Sequence, residues 1–264
     1  MNRRVLILMV LLSSSWSAVY SQSLTTYHHN TFWGRAVISD KIGSKLKWEV
    51  FLQKRTQNDE SDKSNIFNHH QLTSYWLWLH YQVSKDLRIS VTPLCYFNTI
   101  ALFPQPPELG NRGVKEFRWA VQLEQTQKFK HFTYANRYSI ELRNRDLQTE
   151  GVYVPNFRIR YRAKLERQLK GGAHPIGAML YDEVFLEFGK AVSASPAIFN
   201  QNRLYAGLNY EIVKNVKFSL GYMYLLQERP TGKAIDSVNV LWGIITFDNV
   251  ISQFYRKDNT DQKK

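Results

Sequence analysis

Four basic side chains occupy every second position in the segment Asn156–Arg167: Arg158, Arg160, Arg162 and Lys164. Cations repeated at a two-residue spacing attract oxyanions when left unpaired, and lock a wall together when carboxylates face them. Acidic residues at the same spacing are present. Lys47 and Glu49 share one face of Lys45–Arg55, with Arg55 beyond them; Arg118 and Glu124 share one face of Glu116–Glu124. Arg137, Glu141 and Arg143 alternate likewise, as do Glu183 and Glu187, and Arg203 and Glu211 complete the set. Two outcomes stay open for these residues. The charges pair with one another and stiffen an interior, or Arg158–Lys164 forms a basic ladder that draws in anionic solutes.

Chemistry of other kinds finds little support. Ester hydrolysis by an activated serine needs a histidine within hydrogen-bond reach. Ser74 and His80 lie on one face of one extended segment, but six residues of strand span roughly 20 Å. His70 and Ser74 are four apart, with His70 in a loop. The pairs His28-His29 and His69-His70 point to opposite sides of an extended chain, which disfavours a shared metal. Asp59-Glu60-Ser61-Asp62 reads as a solvated acidic loop, and Gly171-Gly172 as a turn without the Lys-Ser/Thr of a phosphate cradle. No catalytic residue, metal or cofactor is expected.

The elements that carry these charges are strands. In Asn156–Arg167, Phe157, Ile159, Tyr161, Ala163 and Leu165 lie on one face and the basic residues on the other. A helix would mix the two sets around its circumference, whereas a strand separates them. Lys45–Arg55, Glu116–Glu124 and Phe132–Arg143 repeat the pattern. Further strands are predicted at Thr31–Ser39, Leu72–Val83, Leu87–Phe97, Met179–Phe188, Arg203–Ile212, Val216–Leu226 and Val238–Phe247. Most run to about 9–12 residues, the length a tilted strand needs to cross a hydrocarbon layer. Strands of ordinary globular domains average about 5–6.

The links alternate between tight ones, such as Ser84–Asp86 and Val213–Asn215, and long ones, such as Thr56–His70 and Asn98–Val114. Outer-membrane barrels show this rhythm, with short periplasmic turns and long external loops. Gln168–Ala178 is longer than its slot predicts. Eleven strands are visible, and bacterial barrels favour even numbers. A further strand in 22–30, or an N-terminus threading the lumen, would restore parity, so about twelve are expected. Tyr75, Tyr81, Tyr96, Phe97, Tyr210, Tyr222, Tyr224 and Phe247 suit aromatic girdles at the interfaces.

The ends bound the rest. Met1-Asn2-Arg3-Arg4, the apolar run Val5–Leu12 and the small residues up to Ser21 have the layout of a secretory signal peptide. Residues 1–21 are therefore expected to be removed, leaving a barrel over 22–247 and a polar tail over 248–264. Cys95 is the sole cysteine, so no intrachain disulfide forms. The formal charge of +13 becomes +11 without Arg3 and Arg4. Export argues against nucleic acid as a partner, and anionic lipid or lipopolysaccharide headgroups or anionic solutes are the better match.

Several stretches resemble the domain-of-unknown-function 2490 family of exported barrels. The most specific is Asp182-Glu183-Val184-Phe185-Leu186 followed by the run from Phe199 to Tyr210, then Lys214–Lys217 and Gly221–Tyr224. Arg158-x-Arg160-Tyr161-Arg162 and Leu46-x-Trp48-Glu49 also match its members. The resemblance implies the fold and an outer-membrane location, and brings no activity or catalytic residues.

The sequence thus predicts an all-β, closed, antiparallel up-and-down transmembrane barrel. It is read as monomeric and non-enzymatic, inserted by the barrel-insertion machinery into outer-membrane lipid and lipopolysaccharide. The leading function is a structural barrel or narrow pore for small solutes. The rivals are a barrel enzyme acting on lipid or lipopolysaccharide, and a soluble periplasmic β-protein holding a hydrophobic ligand.

Overall fold

The computed structural model describes residues 24–59, 61–100, 102, 113–148, 150–192, 198–229 and 232–254. The expected signal peptide lies outside them. Eleven strands follow in chain order: β1 (Thr25–Lys41), β2 (Leu46–Gln57), β3 (His69–Gln82), β4 (Leu87–Thr99), β5 (Val114–Lys128) and β6 (Thr133–Asp146). After them come β7 (Val154–Lys170), β8 (Ile176–Phe188), β9 (Phe199–Val213), β10 (Val216–Glu228) and β11 (Ala234–Asp248). Each strand pairs antiparallel with the next, and β11 closes the cylinder on β1. That closing pair is parallel, with Thr25 opposite Ala234 and Ser39 opposite Asp248.

Every predicted strand is found, most of them longer than the alternation alone marked out. The parity expectation resolves in an unforeseen way. Among the described residues no twelfth strand precedes β1. Thr25–Asn30 instead lengthens β1, and a parallel pair absorbs the odd number. The link between β7 and β8 shrinks to 171–175 because both strands extend into what read as loop. At the far end, the carboxylate of Asp40 accepts the backbone N–H groups of Ile251 and Ser252 (2.5 and 2.8 Å), docking the start of the tail beside β1.

Period-two patterning decides which way the wall faces. Trp119, Val121, Ile140, Phe157, Ile159, Leu204, Leu208 and Tyr222 are exposed on the outer face. An apolar belt this continuous is far larger than the patches tolerated on soluble monomers, and it fits a hydrocarbon surround.

The inner face is filled. Trp33, Tyr181, Tyr205, Met223, Val240 and Trp242 form one buried cluster; Phe51, Trp76, Trp78, Cys95 and Phe97 form another. Phe97, expected in an outer girdle, is only 3% exposed and points inward. The cause is a bulge. Leu77 and Leu79 of β3 face Leu94 and Val91 of β4, leaving one extra residue on β4 beside Pro93. Proline has no N–H for the ladder, and an added residue reverses the side-chain alternation beyond it. Ser90 and Thr92 face inward before the bulge, Cys95 and Phe97 after it.

Candidate functional site: a cross-linked lumen with a basic vestibule

The charged inner wall belongs to β5–β8. Glu141 is completely buried. Its Oε2 accepts Nε and Nη2 of Arg158 (3.0 and 2.6 Å), and its Oε1 accepts Nη1 of Arg160 (2.5 Å). Arg118 Nη1 lies 3.5 Å from Oε2. Glu183 Oε1 accepts from both Arg137 (2.7 Å) and Arg160 (2.8 Å). Glu124 takes Arg88 (2.7 Å) and Arg162 (3.2 Å). Glu187 is bonded by Arg143 and Asn156. Lys164, the last rung of the ladder, sits 3.1 Å from Glu166.

Glu141, Glu183 and Glu124 therefore each serve two or more guanidinium groups, from the next strand or the one beyond it. Register explains the pattern. Glu141 stands opposite Arg158, but Arg137 stands opposite Arg162, a like-charged pair. The two diverge, Arg137 to Glu183 and Arg162 to Glu124. Charges withdrawn from water are tolerated only when paired and hydrogen-bonded, and the mesh achieves that for the whole Arg158–Lys164 row.

Glu116, which the sequence reading left out of the inner-wall set, is central to the mesh. It bonds Arg118 and takes Arg143 through both oxygens (2.7 and 2.9 Å). Its position at the polar end of Glu116–Glu124 was the available signal. Lys47 sits at the short-turn end, 3.0 Å from Asp248.

Arg35, Arg55 and Arg203 meet aromatic rings. Arg35 lies over Phe51 (4.2 Å to the ring centre) and Trp242 (4.9 Å). Arg55 lies over Trp33 at 3.4 Å, and Arg203 lies 5.2 Å from that ring and 4.4 Å from Phe185. Among the described residues, Arg55, Arg145 and Arg203 have no carboxylate within 4 Å, and the Nε of each is buried without a hydrogen-bond acceptor.

These three side chains line a cavity of about 620 Å³ that opens among the strand ends bearing the long loops. Eight cationic side chains and four carboxylates surround it. Leu72, Phe97 and Leu102 give it an apolar side, and Gln71, Asn200 and Gln201 supply neutral amides. At its rim Asp236 accepts from Arg229 (2.8 Å) and contacts His29 (3.1 Å). His29, weighed earlier as half of a metal pair, is thus committed to a carboxylate.

One arrangement escaped sequence reading. His80 faces Ser90 across β3 and β4, with Nδ1 2.7 Å from Oγ, and Glu49 Oε2 lies 3.8 Å from Nε2. The partner sits on the next strand, so spacing along one segment had no means of revealing it. Ser90 is buried, and the Glu49 contact is longer than a hydrogen bond.

The outer wall is mostly apolar, with polar interruptions such as Asp182 and, on β11, Asn239, which accepts the Tyr222 hydroxyl (2.6 Å). On β8 Asp182 stands between Leu180 and Val184 and accepts a hydrogen bond from Asn202 (2.7 Å). On the adjoining strands the hydroxyls of Tyr134 and Tyr161 both donate to Asn136 Oδ1 at 2.7 Å.

Residues 30–236 match the family described as protein of unknown function (DUF2490), and the chain belongs to that family. Among curated proteins none matches. Solved structures resembling it include LpxR from Salmonella typhimurium, at 10% identity and a TM-score of 0.45, over 80% of this chain and 86% of that one. The NanC porin aligns at 11% identity and a TM-score of 0.44, over 78% and 93%. The beta domain of the Bordetella autotransporter BrkA aligns at 12% identity and 0.39, over 69% and 78%.

Proposed function

We propose that this protein is an outer-membrane barrel whose lumen is closed at mid-height by its own side chains, a structural wall element that passes at most very small solutes. The observation that carries this reading is Glu141, fully buried and held by Arg158 and Arg160 with Arg118 beside it. A carboxylate fixed by three guanidinium groups cross-links the inner faces of β5, β6 and β7, and its complete burial supports a lumen filled by side chains at that level. The apolar outer belt supports residence in a bilayer, and the loop asymmetry supports an orientation with long loops outward.

Planar-bilayer conductance of the purified protein tests the proposal. The expected result is little or no steady current, and no change in ion preference when Arg158, Arg160 and Arg162 become Gln. A large, stable, anion-selective conductance lost in those variants overturns it in favour of an open basic ladder.

A second reading, a barrel acting on lipid esters, draws on the His80–Ser90 contact. Ester release from phospholipid or lipopolysaccharide that disappears in S90A and H80A would establish it. Its absence from folded protein removes it.

A further inference from the structure

We infer that the vestibule is a binding site for a small organic dianion, a phosphate monoester being the chemistry that fits best, held between Arg55 and Arg203. Both guanidinium groups pack on the indole of Trp33, at 3.4 and 5.2 Å from its centre. Those distances place two like charges within about 9 Å of each other, where a lumen of low dielectric makes their repulsion substantial. Along the β5–β7 wall Arg118, Arg137, Arg143, Arg158, Arg160 and Arg162 each have a carboxylate within 4 Å. Arg55 and Arg203, among the described residues, have none within that distance, although Glu183 stands opposite Arg203 in the β8–β9 register.

The geometry is prepared for an anion. A ring face that takes the flat side of a guanidinium leaves its edge N–H groups free to form a fork, and a phosphate accepts two such forks at once. Arg203 is further held by Gln201 Oε1 at 2.7 Å, and Gln201 in turn donates to Gln227 Oε1 at 2.7 Å. The buried carboxamide oxygen of Asn200, without a donor, lines the same cavity and suits a ligand hydroxyl. Leu72, Phe97 and Leu102 give an organic portion an apolar surface. The volume, about 620 Å³, lies within the range of small-molecule sites.

The test uses full-length protein folded in detergent micelles at low ionic strength, titrated with inorganic phosphate, glucose 6-phosphate and uncharged glucose. Thermal unfolding and tryptophan emission are the readouts. The two phosphates are expected to raise Tm saturably and to change the emission through Trp33, while glucose does neither. R55Q and R203Q are each expected to weaken binding at least tenfold. Because each relieves an uncompensated charge, each also unfolds at a higher temperature than the wild type without ligand. R88Q, altered at the opposite end of the lumen, should bind like the wild type. Absence of saturable binding, or R55Q and R203Q that bind as tightly as the wild type, overturns the inference. So does ligand-free destabilisation of both variants, since that assigns the arginines to the wall alone. Binding is read independently of conductance, so a conducting barrel that binds phosphate keeps this inference and loses the closed lumen.

Discussion

Glu141 and Arg158 face each other across the β6–β7 register, and one carboxylate oxygen accepts both Nε and Nη2 of the guanidinium. The pair is buried from both sides. Replacing the carboxylate by a carboxamide removes the negative charge and turns one acceptor oxygen into an NH2 facing a guanidinium, so either Arg158 or Arg160 loses its acceptor there. Breaking one partner of a buried ion pair costs about 3–5 kcal/mol. E141Q should therefore lose stability on that scale in urea unfolding from lipid vesicles, with the midpoint shifted and the slope retained. A loss below about 1 kcal/mol, the usual worth of an exposed pair, would mean that water reaches this level of the lumen.

A second prediction concerns Tyr205. Gly207 and Gly221 are register partners on β9 and β10, and the Tyr205 phenol lies over both. A Cβ at Gly221 would overlap the phenol and stand 2.6 Å from the carbonyl oxygen of Ala206. G221A should cost about 1–3 kcal/mol, the usual range for overpacking. The cost should fall when Tyr205 is first replaced by Val. Equal costs in the two backgrounds would assign the effect to backbone alone.

The outward carboxylate of Asp182 is poorly matched to lipid. Charged groups on the lipid face of a barrel destabilise it, acidic ones less than basic ones. D182V should raise unfolding stability in vesicles by about 1 kcal/mol, and N202D, which adds a second carboxylate there, should lower it. If D182V is destabilising instead, that face is covered by something other than acyl chains.

The loop after β2 carries a pH response. Asp59 accepts from His69 Nε2 (2.8 Å) and from the N–H and hydroxyl of Ser61 (both 2.9 Å), and these bonds depress its pKa to about 2. A depressed carboxylate contributes order that is complete above its unfolded pKa, about 3.9, and is lost as pH falls through the folded value. Protease cleavage within 58–68 should stay slow down to about pH 4 and accelerate toward pH 2, using an acid-tolerant protease. D59N should cleave quickly across the whole range. A cleavage rate flat with pH, the same in both proteins, would remove the Asp59 contacts as the cause.

The strand count is open to direct test. Asn239 donates to Asn30 Oδ1 at 2.9 Å across the β1–β11 seam. A cysteine at each position should be joined by a short bifunctional maleimide, giving a circularised band that resists full unfolding on gels. The native thiol of Cys95 is buried and inert to the reagent. An inserted twelfth strand would separate the two positions by roughly another 5 Å per strand spacing and suppress the product.

Much of this molecule was legible in its residues. The alternation of Phe157, Ile159 and Leu165 with Arg158, Arg160 and Arg162 stated both the strand and its two environments, because period two admits no compromise between faces. The vestibule was not legible. It depends on Arg55 from β2 and Arg203 from β9 meeting at one indole, a contact between strands far apart in the chain. Trp33 and Trp242 were unreadable for a related reason. An apolar ring on a barrel strand suits lipid or a filled lumen equally, and only register chooses. Phe97 went astray through a single extra residue near Pro93. Thr25–Asn30, polar throughout, gave no sign of being strand, since its pairing with β11 is a backbone matter.

That first pairing has a topological price. With β1 and β11 running the same way, the polypeptide enters the cylinder at one rim and departs from the opposite rim. No hairpin joins the two, so the seam closes between partners more than 200 residues apart, through the slanted bonds of parallel pairing that hold slightly less per residue. Reporter peptides fused before Thr25 and after Asp248 would consequently be found in different compartments, and the ladder between them is where the cylinder should first come undone.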